Sequence, residues 1–327
     1  MKLIFISPGG DVSNRMFADL YKLEQDNFTY IDVPVILKNK LYGKIFRLYY
    51  KIAQKIDLHL DFLFNRAGVI NTIDFDNKEK NYIIMGNGCF NYYSARFLNK
   101  IKEKNNIGYI VYFIDPLSHL TSKKMRENIF SLNYDTLISF SKSDAEKLNG
   151  IYSTSFYSKL PVQKAEKQKA GVYFVGNNKG RLKILHEIYQ QLNNHVECKF
   201  KIFNVEDKDQ KEKNIIYNSY LPYEEILKEI QEYNCILEIN QSDQDGVTLR
   251  YYEAVVYNKK LITNNLMVKS MPYYDEKYMY VFERPEDINY NELIQWIKED
   301  VRVDYKYDGR FSPICLIKEI EQLHLKN

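Results

Sequence analysis

Short apolar runs rich in β-branched and aromatic residues recur along the chain, and most are followed by a stretch with helical spacing. Such alternation of strand and helix patterns is typical of parallel α/β sheets. The pattern predicts five strands in the first half, at residues 2–7, 29–35, 82–85, 109–114 and 136–140. It predicts six more in the second half, at residues 172–175, 198–203, 214–217, 235–239, 260–263 and 278–282. We therefore expect two Rossmann-like α/β domains.

A charged, apolar-poor stretch separates the two halves. It reads QKAEKQKAG at residues 163–171 and ends in glycine, as expected for an exposed linker. We expect one domain over residues 1–160, a linker over 161–171 and a second domain over 172–310. The last residues, 311–327, are predicted to form a helix that packs back on the first domain.

Composition and charge exclude several classes of protein. Hydrophobic residues make up 45% of the 327 residues, enough for a core in each domain, and the net charge of +3 is too small for a surface devoted to nucleic acid. The four cysteines, Cys89, Cys198, Cys235 and Cys315, form no CxxC pair, so neither a zinc site nor a disulfide scaffold is expected. Secretory and membrane-spanning patterns are missing. We expect a cytoplasmic protein, soluble or peripheral at the inner face of the cell membrane.

The commonest nucleotide-binding and hydrolase motifs are also missing from the sequence. It contains no GxxxxGK[ST], no GxGxxG after a strand, no HExxH and no GxSxG. Two α/β domains without these fingerprints leave enzymes that bind a nucleotide-sugar in a cleft as a strong candidate class.

The segment VYFVGNNKGR, at residues 172–181, is a strand that leads into a glycine-bounded turn and then a helical pattern. A helix N-terminus after a strand presents free backbone N–H groups, and Lys179 and Arg181 add two cations, a setting that suits a diphosphate. The alternative is a loop with two solvated charges.

A second segment, at residues 235–263, carries a buried strand, a polar loop and a helix predicted to begin near Gly246. Arg250 and Glu253 are spaced i, i+3 and therefore share one face of this helix. A carboxylate there can accept two hydrogen bonds from the cis-diol of a ribose. The alternative is a surface ion pair, worth about 0 to 1 kcal/mol.

The order of these segments resembles the C-terminal donor domain of GT-B glycosyltransferases. VGNNKGR is followed by SYLPYEEIL at residues 219–227, a strand, DGVTLRYYE and NKKLITNN, so that the resemblance spans about residues 172–265. More narrowly, the pattern is similar to GLTxRxxEAxxxxKKLITTN, which is found in bacterial enzymes of capsule, exopolysaccharide and lipopolysaccharide assembly. Asp245 and Glu253 also have the acid-x7-acid spacing of retaining GT-B enzymes, with Asp in place of the first Glu.

The resemblance implies a fold and a set of roles. The fold is GT-B, two Rossmann-like domains whose parallel sheets face an interdomain cleft. Glu253 would hold the ribose, Lys179 and Arg181 the pyrophosphate, with Arg250 as a further phosphate ligand. The remaining donor-site residues would be Tyr223 beside the base and Asp245, Gly246 and Thr248 at the helix N-terminus. Neither a metal nor a cofactor is expected, because the nucleotide-sugar is itself the donor substrate.

The first half resembles the family weakly, in YDTLISFSKSDA at residues 134–145. Such a domain would bind the acceptor and supply a general base from loops at the carboxyl ends of strands. Asp11, Asp115 and His119 are the candidates. The alternatives are a simple turn at Gly9 and Gly10, a helix cap at Asp115 and a surface role for His119.

The segment KNKLYGKIFRLYYKIAQKI, at residues 38–56, has the pattern of a basic amphipathic helix. An apolar stripe lies beside a cationic row that includes no acid. The stripe is Leu41, Ile45, Leu48, Ile52 and Ile56, and the row is Lys40, Lys44, Arg47, Lys51 and Lys55. This pattern suits an anionic membrane surface, and the alternative is a helix that packs on its own sheet.

From the sequence we predict a glycosyltransferase that moves a sugar from a nucleotide-sugar donor to a glycan acceptor, lipid-linked, in cell-surface polysaccharide synthesis. One alternative is a GT-B epimerase that acts on the nucleotide-sugar itself. Another is a non-catalytic nucleotide-binding subunit of a transferase complex. No nucleic-acid partner is expected.

Overall fold

The computed structural model describes residues 1–23, 27–32, 78–91, 93–120, 123–240 and 246–325, with nine single positions between 41 and 75. The chain divides into two compact units. The first consists of Met1–Ser158 together with Phe311–Asn327, and the second is Lys159–Arg310.

Six parallel strands form the sheet of the first unit, in the order β2-β1-β3-β4-β5-β6. Their bounds are β1 Lys2–Ser7, β2 Phe28–Asp32, β3 Asn81–Gly86, β4 Ile107–Phe113, β5 Thr136–Ser139 and β6 Ile151–Tyr152. The strands β3 and β4 are buried along their whole length, as expected for a parallel sheet covered on both faces.

The second unit repeats this architecture with the strand order β12-β11-β10-β7-β8-β9, again all parallel. Its strands are β7 Lys169–Asn177, β8 Glu197–Phe203, β9 Ile216–Tyr217, β10 Tyr233–Glu238, β11 Lys260–Thr263 and β12 Met279–Val281. The first residues of β7 come from the stretch that the sequence assigned to the linker.

Helices cover the faces of both sheets. In the first unit they are α1 Asp11–Met16, α2 Ala95–Lys104, α3 Lys123–Ser131 and α4 Lys142–Lys147. In the second unit they are α5 Leu182–Leu192, α6 Tyr223–Glu232, α7 Leu249–Val256 and α8 Tyr290–Lys298. Serine hydroxyls cap α2 and α4, where Ser94 and Ser141 accept hydrogen bonds from the backbone N–H of Phe97 and Asp144.

The last helix, α9 Pro313–Leu325, belongs to the first unit. Its side chains Leu316, Ile317 and Ile320 are fully or almost fully buried, and the ring of His324 lies 4.2 Å from that of Tyr82 on β3. Just before α9, the carbonyl oxygen of Phe311 accepts a hydrogen bond of 2.7 Å from the backbone N–H of Tyr157. The Ser312 hydroxyl donates to Asp19 Oδ2 at 2.7 Å.

The predicted strands are confirmed with small shifts at their ends, apart from residues 33–35 of the second one, which lie outside the described residues. The strand β6 was not predicted. Two α/β units with parallel sheets, as expected, are therefore present. Most of the predicted basic helix at residues 38–56 lies outside the described residues. Of its positions, 41, 44, 45, 48, 49 and 52 are described, and these are helical.

Candidate functional site

The sheet of the second unit grows outward from two central strands, β7 and β10. β8 and β9 lie on the far side of β7, whereas β11 and β12 lie on the far side of β10. In open α/β sheets, ligands usually bind outside the carboxyl ends of the strands at such a reversal of strand order. We call this place the β7/β10 switch point.

Arg181 bridges the carboxyl ends of these two strands. Its Nε and Nη2 donate to the carbonyl oxygen of Asn177, at the end of β7, at 3.1 and 2.9 Å. Its Nη1 donates to the carbonyl oxygen of Ile239, which directly follows β10. The guanidinium also lies 5.4 Å from the ring centre of Phe174. Gly176 leaves the room for this arrangement, because a Cβ there would lie 2.8 Å from Nη2.

The turn between β7 and α5 contains Lys179 and Gly180, both with positive φ, 43° and 81°. Asn178 accepts a hydrogen bond of 3.0 Å from the Leu182 backbone N–H and thereby satisfies an amide at the start of α5. Lys179 is exposed on this turn, whereas Arg181 is largely buried. The two predicted phosphate ligands thus share one loop but differ in their access to water.

Burial, opposed by Glu238 and aided by the neighbouring Arg250 cation, lowers the pKa of Arg181 to about 10. A group with a pKa of about 10 is still positively charged at neutral pH. The β7/β10 switch point therefore holds a fixed cation in a poorly hydrated position, where electrostatic interactions are stronger than in water.

Thr248 caps α7, since its Oγ1 accepts a hydrogen bond of 3.1 Å from the Arg250 backbone N–H. The helix begins at Leu249, slightly later than the predicted start near Gly246. Gly246 has φ 100°, a conformation that glycine adopts readily, and its carbonyl oxygen accepts a hydrogen bond of 3.0 Å from Asn265 Nδ2. The turn before α7 is thereby tied to the residues that follow β11.

The prediction that Arg250 and Glu253 share one helix face is confirmed, because Arg250 Nη1 and Glu253 Oε2 form an ion pair. The alternative of a surface pair is wrong: the Glu253 side chain is 0% exposed and that of Arg250 is 13% exposed. The Tyr223 hydroxyl donates to Glu253 Oε1 at 2.7 Å. Burial raises the pKa of the Glu253 carboxyl, while Arg250 and Tyr223 oppose the rise.

Glu238, the last residue of β10, is a buried acid that the sequence analysis missed. It is 1% exposed and accepts three hydrogen bonds. They come from the Thr248 backbone N–H at 3.1 Å, the Thr248 hydroxyl at 2.5 Å and the Thr263 hydroxyl at 2.6 Å. Burial raises the pKa of Glu238, and these bonds and Arg181 oppose the rise. An acid inside the apolar run CILEI was the available signal, because a buried charged residue requires partners.

Arg181, Glu238, Arg250 and Glu253 together form what we call the switch-point cluster. Arg181 is within electrostatic reach of Glu238 and Arg250, and Glu253 of Glu238 and Arg250. Two guanidinium groups and two carboxyl groups thus meet at the carboxyl edge of the sheet. Such an arrangement can hold an anion beside a carboxylate that accepts hydrogen bonds.

The structure places most of the predicted donor-site residues in or beside this cluster. Arg181, Arg250 and Glu253 belong to it, and Tyr223 and Thr248 bond directly to it. Gly246 precedes the capped end of α7, and Lys179 lies two residues before Arg181. Asp245 lies outside the described residues.

The candidate bases of the first unit lie after strands β1 and β4, which are separated in the sheet by β3. Asp11 is the first residue of α1, and its Oδ1 lies 3.7 Å from Arg15 Nε, with both side chains well exposed. Asp115 is exposed and, among the described residues, makes no hydrogen bond or ion pair. His119 ends a short 3₁₀ turn, and its side chain lies outside the described part of the chain. Asp144, not Asp115, accepts the hydrogen bond from the Leu117 N–H at the start of that turn.

The first unit has its own switch point, between β1 and β3. The loops that follow these strands touch: a Cβ at Gly88 would lie 2.9 Å from the Cβ of Pro8. Gly9 and Gly10 have φ 76° and 100°, and the Gly9 N–H donates to the Ser7 hydroxyl at 3.1 Å. We call this place the β1/β3 switch point. It is a close backbone turn in which glycines are required.

Two general findings bear on the class of site. Among the residues that the structure describes, no group of three or more His, Cys, Asp or Glu side chains is placed to hold a metal ion. No helix within the described ranges is long and apolar enough to cross a membrane.

Several solved structures share the architecture over the whole chain. The Anabaena protein Alr3699/HepE in complex with UDP and glucose is 9% identical, with a TM-score of 0.59 and 100% of each chain covered. An α-glucosyltransferase in complex with UDP and a 13-mer DNA is 11% identical, with a TM-score of 0.58 and 98% of each chain covered. A protein from Listeria monocytogenes assigned as a UDP-N-acetylglucosamine 2-epimerase is 9% identical, with a TM-score of 0.56, 98% of this chain and 96% of that chain covered. The chain has the GT-B fold. No protein-family model and no curated protein matches it in sequence.

Proposed function

We propose that the chain is a glycosyltransferase that takes a sugar from a nucleotide-sugar donor and passes it to a glycan acceptor. The observation that carries this proposal is the switch-point cluster, which combines cations for a diphosphate with a buried carboxylate for a ribose. The solved structures of the same fold that contain UDP support a uridine nucleotide as the first donor class to test.

In this proposal the diphosphate lies at the N-terminus of α7, within reach of Arg181, Arg250 and Lys179. A nucleoside diphosphate leaves with growing negative charge, which fixed cations and a helix N-terminus stabilise. These groups supply the positive charge that a metal ion provides in other transferases, so we infer that transfer is metal-independent.

Glu253 accepts the ribose hydroxyls once Arg250 has moved from it. In the structure the carboxylate is 0% exposed, and Arg250 is paired with its Oε2. An arriving diphosphate offers Arg250 an alternative anionic partner, so binding of the diphosphate and exposure of Glu253 are coupled. Tyr223 keeps its hydrogen bond to Oε1 and fixes the orientation of the carboxylate.

Asp11, Asp115 and His119 are the candidate general bases for the acceptor hydroxyl. Exposure of Asp11 and Asp115 at the carboxyl edge of the first sheet supports this part of the proposal, because a base has to reach a substrate proton.

We further propose that the acceptor is a lipid-linked glycan of cell-surface polysaccharide at the cytoplasmic membrane face. Four apolar side chains of the segment at residues 38–56 support a membrane contact, since they are 40 to 71% exposed. They are Leu41, Ile45, Leu48 and Ile52. An amphipathic helix packed on its own sheet would bury this stripe.

Co-sedimentation with anionic vesicles tests the membrane contact. Changing Lys44, Arg47 and Lys51 to Glu should weaken binding by about 3 kcal/mol, roughly a hundredfold, at about 1 kcal/mol for each cation. Three exposed lysines of the second unit, Lys208, Lys211 and Lys213, changed to Glu serve as the matched control. Equal partitioning of both variants and the wild type into anionic vesicles would contradict the proposed membrane contact.

The epimerase is the second candidate, because the Listeria structure assigned to that activity shares the fold.

A thermal-shift panel of UDP, GDP, CDP and their sugars identifies the donor, since a ligand at 100 times its dissociation constant adds about 2.7 kcal/mol of stability. The sugar that binds is then incubated with and without a glycan acceptor. Conversion of the nucleotide-sugar to its epimer without acceptor would identify an epimerase, and release of nucleotide that depends on the acceptor would identify a transferase. Nucleotide binding without either reaction would indicate a non-catalytic subunit.

A further inference from the structure

Glu238 lies beneath the proposed diphosphate site without any role in the reaction proposed above. It ends the central strand β10, is 1% exposed and uses both carboxylate oxygens as acceptors. Its partners come from two other elements, Thr248 at the start of α7 and Thr263 at the end of β11. One side chain therefore ties two strands and a helix together at the edge where the ligand is expected.

The two threonine hydroxyls connect Glu238 to backbone N–H groups. Thr248 Oγ1 donates its proton to Glu238 and accepts from the Arg250 N–H at 3.1 Å. Thr263 Oγ1 likewise donates to Glu238 and accepts from the Asn265 N–H at 3.0 Å. A hydroxyl has one proton, so donating it to Glu238 turns the lone pairs toward these N–H groups. Glu238 thereby sets the orientation in which Thr248 caps α7.

Charge gives Glu238 a second connection to the site. Arg181 and Arg250 repel each other across the switch-point cluster, and Glu238 attracts Arg181. A neutral residue at position 238 would leave Glu253 as the one acid of this cluster beside two guanidinium groups. The position of α7 and the balance of charge around Arg181 therefore both depend on the same carboxylate.

We propose that Glu238 is a positioning residue that holds the first turn of α7, and with it Arg250 and Glu253, in place for the nucleotide. The inference rests on the proposed function only for the identity of that ligand. Glu238 does not touch the substrate and acts through Thr248 and Thr263.

Two variants distinguish the effect of the length of the Glu238 side chain from the effect of its charge, and a third variant is the control. Glu238→Gln keeps the size of the side chain but removes the charge, and its amide NH₂ cannot accept a proton from the second threonine hydroxyl. Glu238→Asp keeps the charge and shortens the reach by one methylene. Asp135→Asn is the matched control, because Asp135 of the first unit is also a carboxylate with three partners, the Tyr109 N–H, Lys102 and Lys80.

The first measurement uses no ligand. Hydrogen exchange of peptides covering residues 246–256 should quicken about tenfold in both Glu238 variants, because local opening sets the exchange rate, and should stay unchanged in Asp135→Asn. Unchanged exchange at α7 in the Glu238 variants would overturn the inference, whatever the nucleotide affinity. An Asp variant that behaves as wild type would also overturn it, because charge alone would then suffice.

The second measurement is calorimetric titration with UDP. Both Glu238 variants should bind UDP about tenfold or more weakly, the loss expected for one charge-assisted hydrogen bond, and Asp135→Asn should bind it normally. Thr248→Val should also weaken UDP binding, and the loss in the double variant with Glu238→Gln should be smaller than the sum of the two single losses. Additive losses would overturn the route through Thr248. If the wild type binds none of the nucleotides while exchange at α7 still responds to Glu238, the proposed function fails and the positioning role stands.

Discussion

At the β7/β10 switch point two arginines and two glutamates form an electrostatically linked cluster at the carboxyl edge of the sheet, whereas at the β1/β3 switch point two loops meet through glycine and proline. The first arrangement holds charge in fixed positions with little water. The second presents backbone, and not charged side chains, to a ligand at the sheet edge, and its acid, Asp11, is exposed. Both sheets have six parallel strands, and each reverses its strand order at one point, although a different number of strands lies beyond that point. The difference described here therefore lies in which side chains occupy the two switch points.

This contrast fits the two halves of the sugar transfer proposed above. Stabilising a leaving diphosphate requires cations that are already in place, because reorganising them during the reaction would raise the barrier. Removing a proton from an acceptor hydroxyl requires an accessible base. Variants at each edge test whether it has the role that its residues imply.

Asp11→Asn and Asp115→Asn test the exposed acids at the carboxyl edge of the first sheet. If either acid is the base, its variant should lower turnover by about 10²- to 10⁴-fold, the usual contribution of general base catalysis, and leave the Kd for UDP unchanged. Steady-state rates and UDP titrations of Asp11→Asn, Asp115→Asn and His119→Gln decide among the three. Wild-type rates in all three variants would move the base elsewhere.

Replacing Arg181 tests the role of fixed positive charge at the β7/β10 switch point. Arg181→Ala removes a cation at the leaving group, so we expect turnover to fall by about 10²- to 10³-fold, the range for one lost electrostatic stabiliser. Lys179→Ala should have a smaller effect, because its charge is exposed and more strongly screened. Thermal melts of Arg181→Lys, which keeps charge but not the fork to Asn177 and Ile239, show how much of the loss is structural. A larger effect at Lys179 than at Arg181 would contradict this assignment.

Glu253→Ala should weaken binding of UDP by roughly 1.5 to 3 kcal/mol, the range for a lost charge-assisted hydrogen bond. It also frees Arg250 from its ion pair, which partly offsets the loss. Glu253→Gln is the control, because it keeps the volume and one acceptor for Tyr223. Unchanged UDP affinity in both variants would limit Glu253 to a structural role.

Lys259 can be compared with the switch-point cluster, because it is a buried lysine at the opposite, amino end of the second sheet. It is 0% exposed, and its Nζ donates to the carbonyl oxygens of Gln231 and Tyr233 at 3.1 and 2.8 Å. Burial lowers its pKa to about 7, while the unfolded chain keeps an ordinary lysine pKa of about 10.4. Between these values the unfolded state binds more protons, so stability rises with pH.

From pH 7 to pH 9 the free energy of unfolding should increase by about 2 kcal/mol because of Lys259. The neutral amine still donates to both carbonyl oxygens, so these bonds survive the titration. Urea unfolding of the wild type and of Lys259→Met at several pH values between 7 and 9 checks this, because the difference between the two proteins cancels the titration of tyrosines and cysteines in the unfolded chain. The free energy of unfolding of the wild type should rise with pH relative to that of Lys259→Met, and the variant should bind UDP normally. Weaker UDP binding in that variant would mean that burial of charge anywhere in the unit affects the site.

The sequence predicted the fold well because parallel strands that are buried on both faces read as apolar runs. Strands such as β4 and β10 stand out in this way, whereas β6, with two residues, has too short a pattern to be recognised. The start of α7 was predicted too early because Gly246 looks like a helix entry. The cap is Thr248, which Glu238 holds in place from a distant strand.

The candidate site was predictable where neighbours in sequence meet, and not where distant residues do. The i, i+3 spacing of Arg250 and Glu253 predicted their contact, but their burial depends on packing that no local pattern records. Glu238 was overlooked because it is a single acid in an apolar run, and its partners Thr248 and Thr263 lie 10 and 25 residues away.

The return of α9 to the first unit has a consequence for protein synthesis. The second unit is one continuous segment, Lys159–Arg310, and can complete its core as soon as that segment has emerged. The first unit can complete its core only after Leu316, Ile317 and Ile320 are made. The usual order, in which the N-terminal domain is completed first on the ribosome, is therefore reversed for this chain. The half-finished sheet around Tyr82 is the surface that a nascent-chain chaperone would have to shield in the meantime.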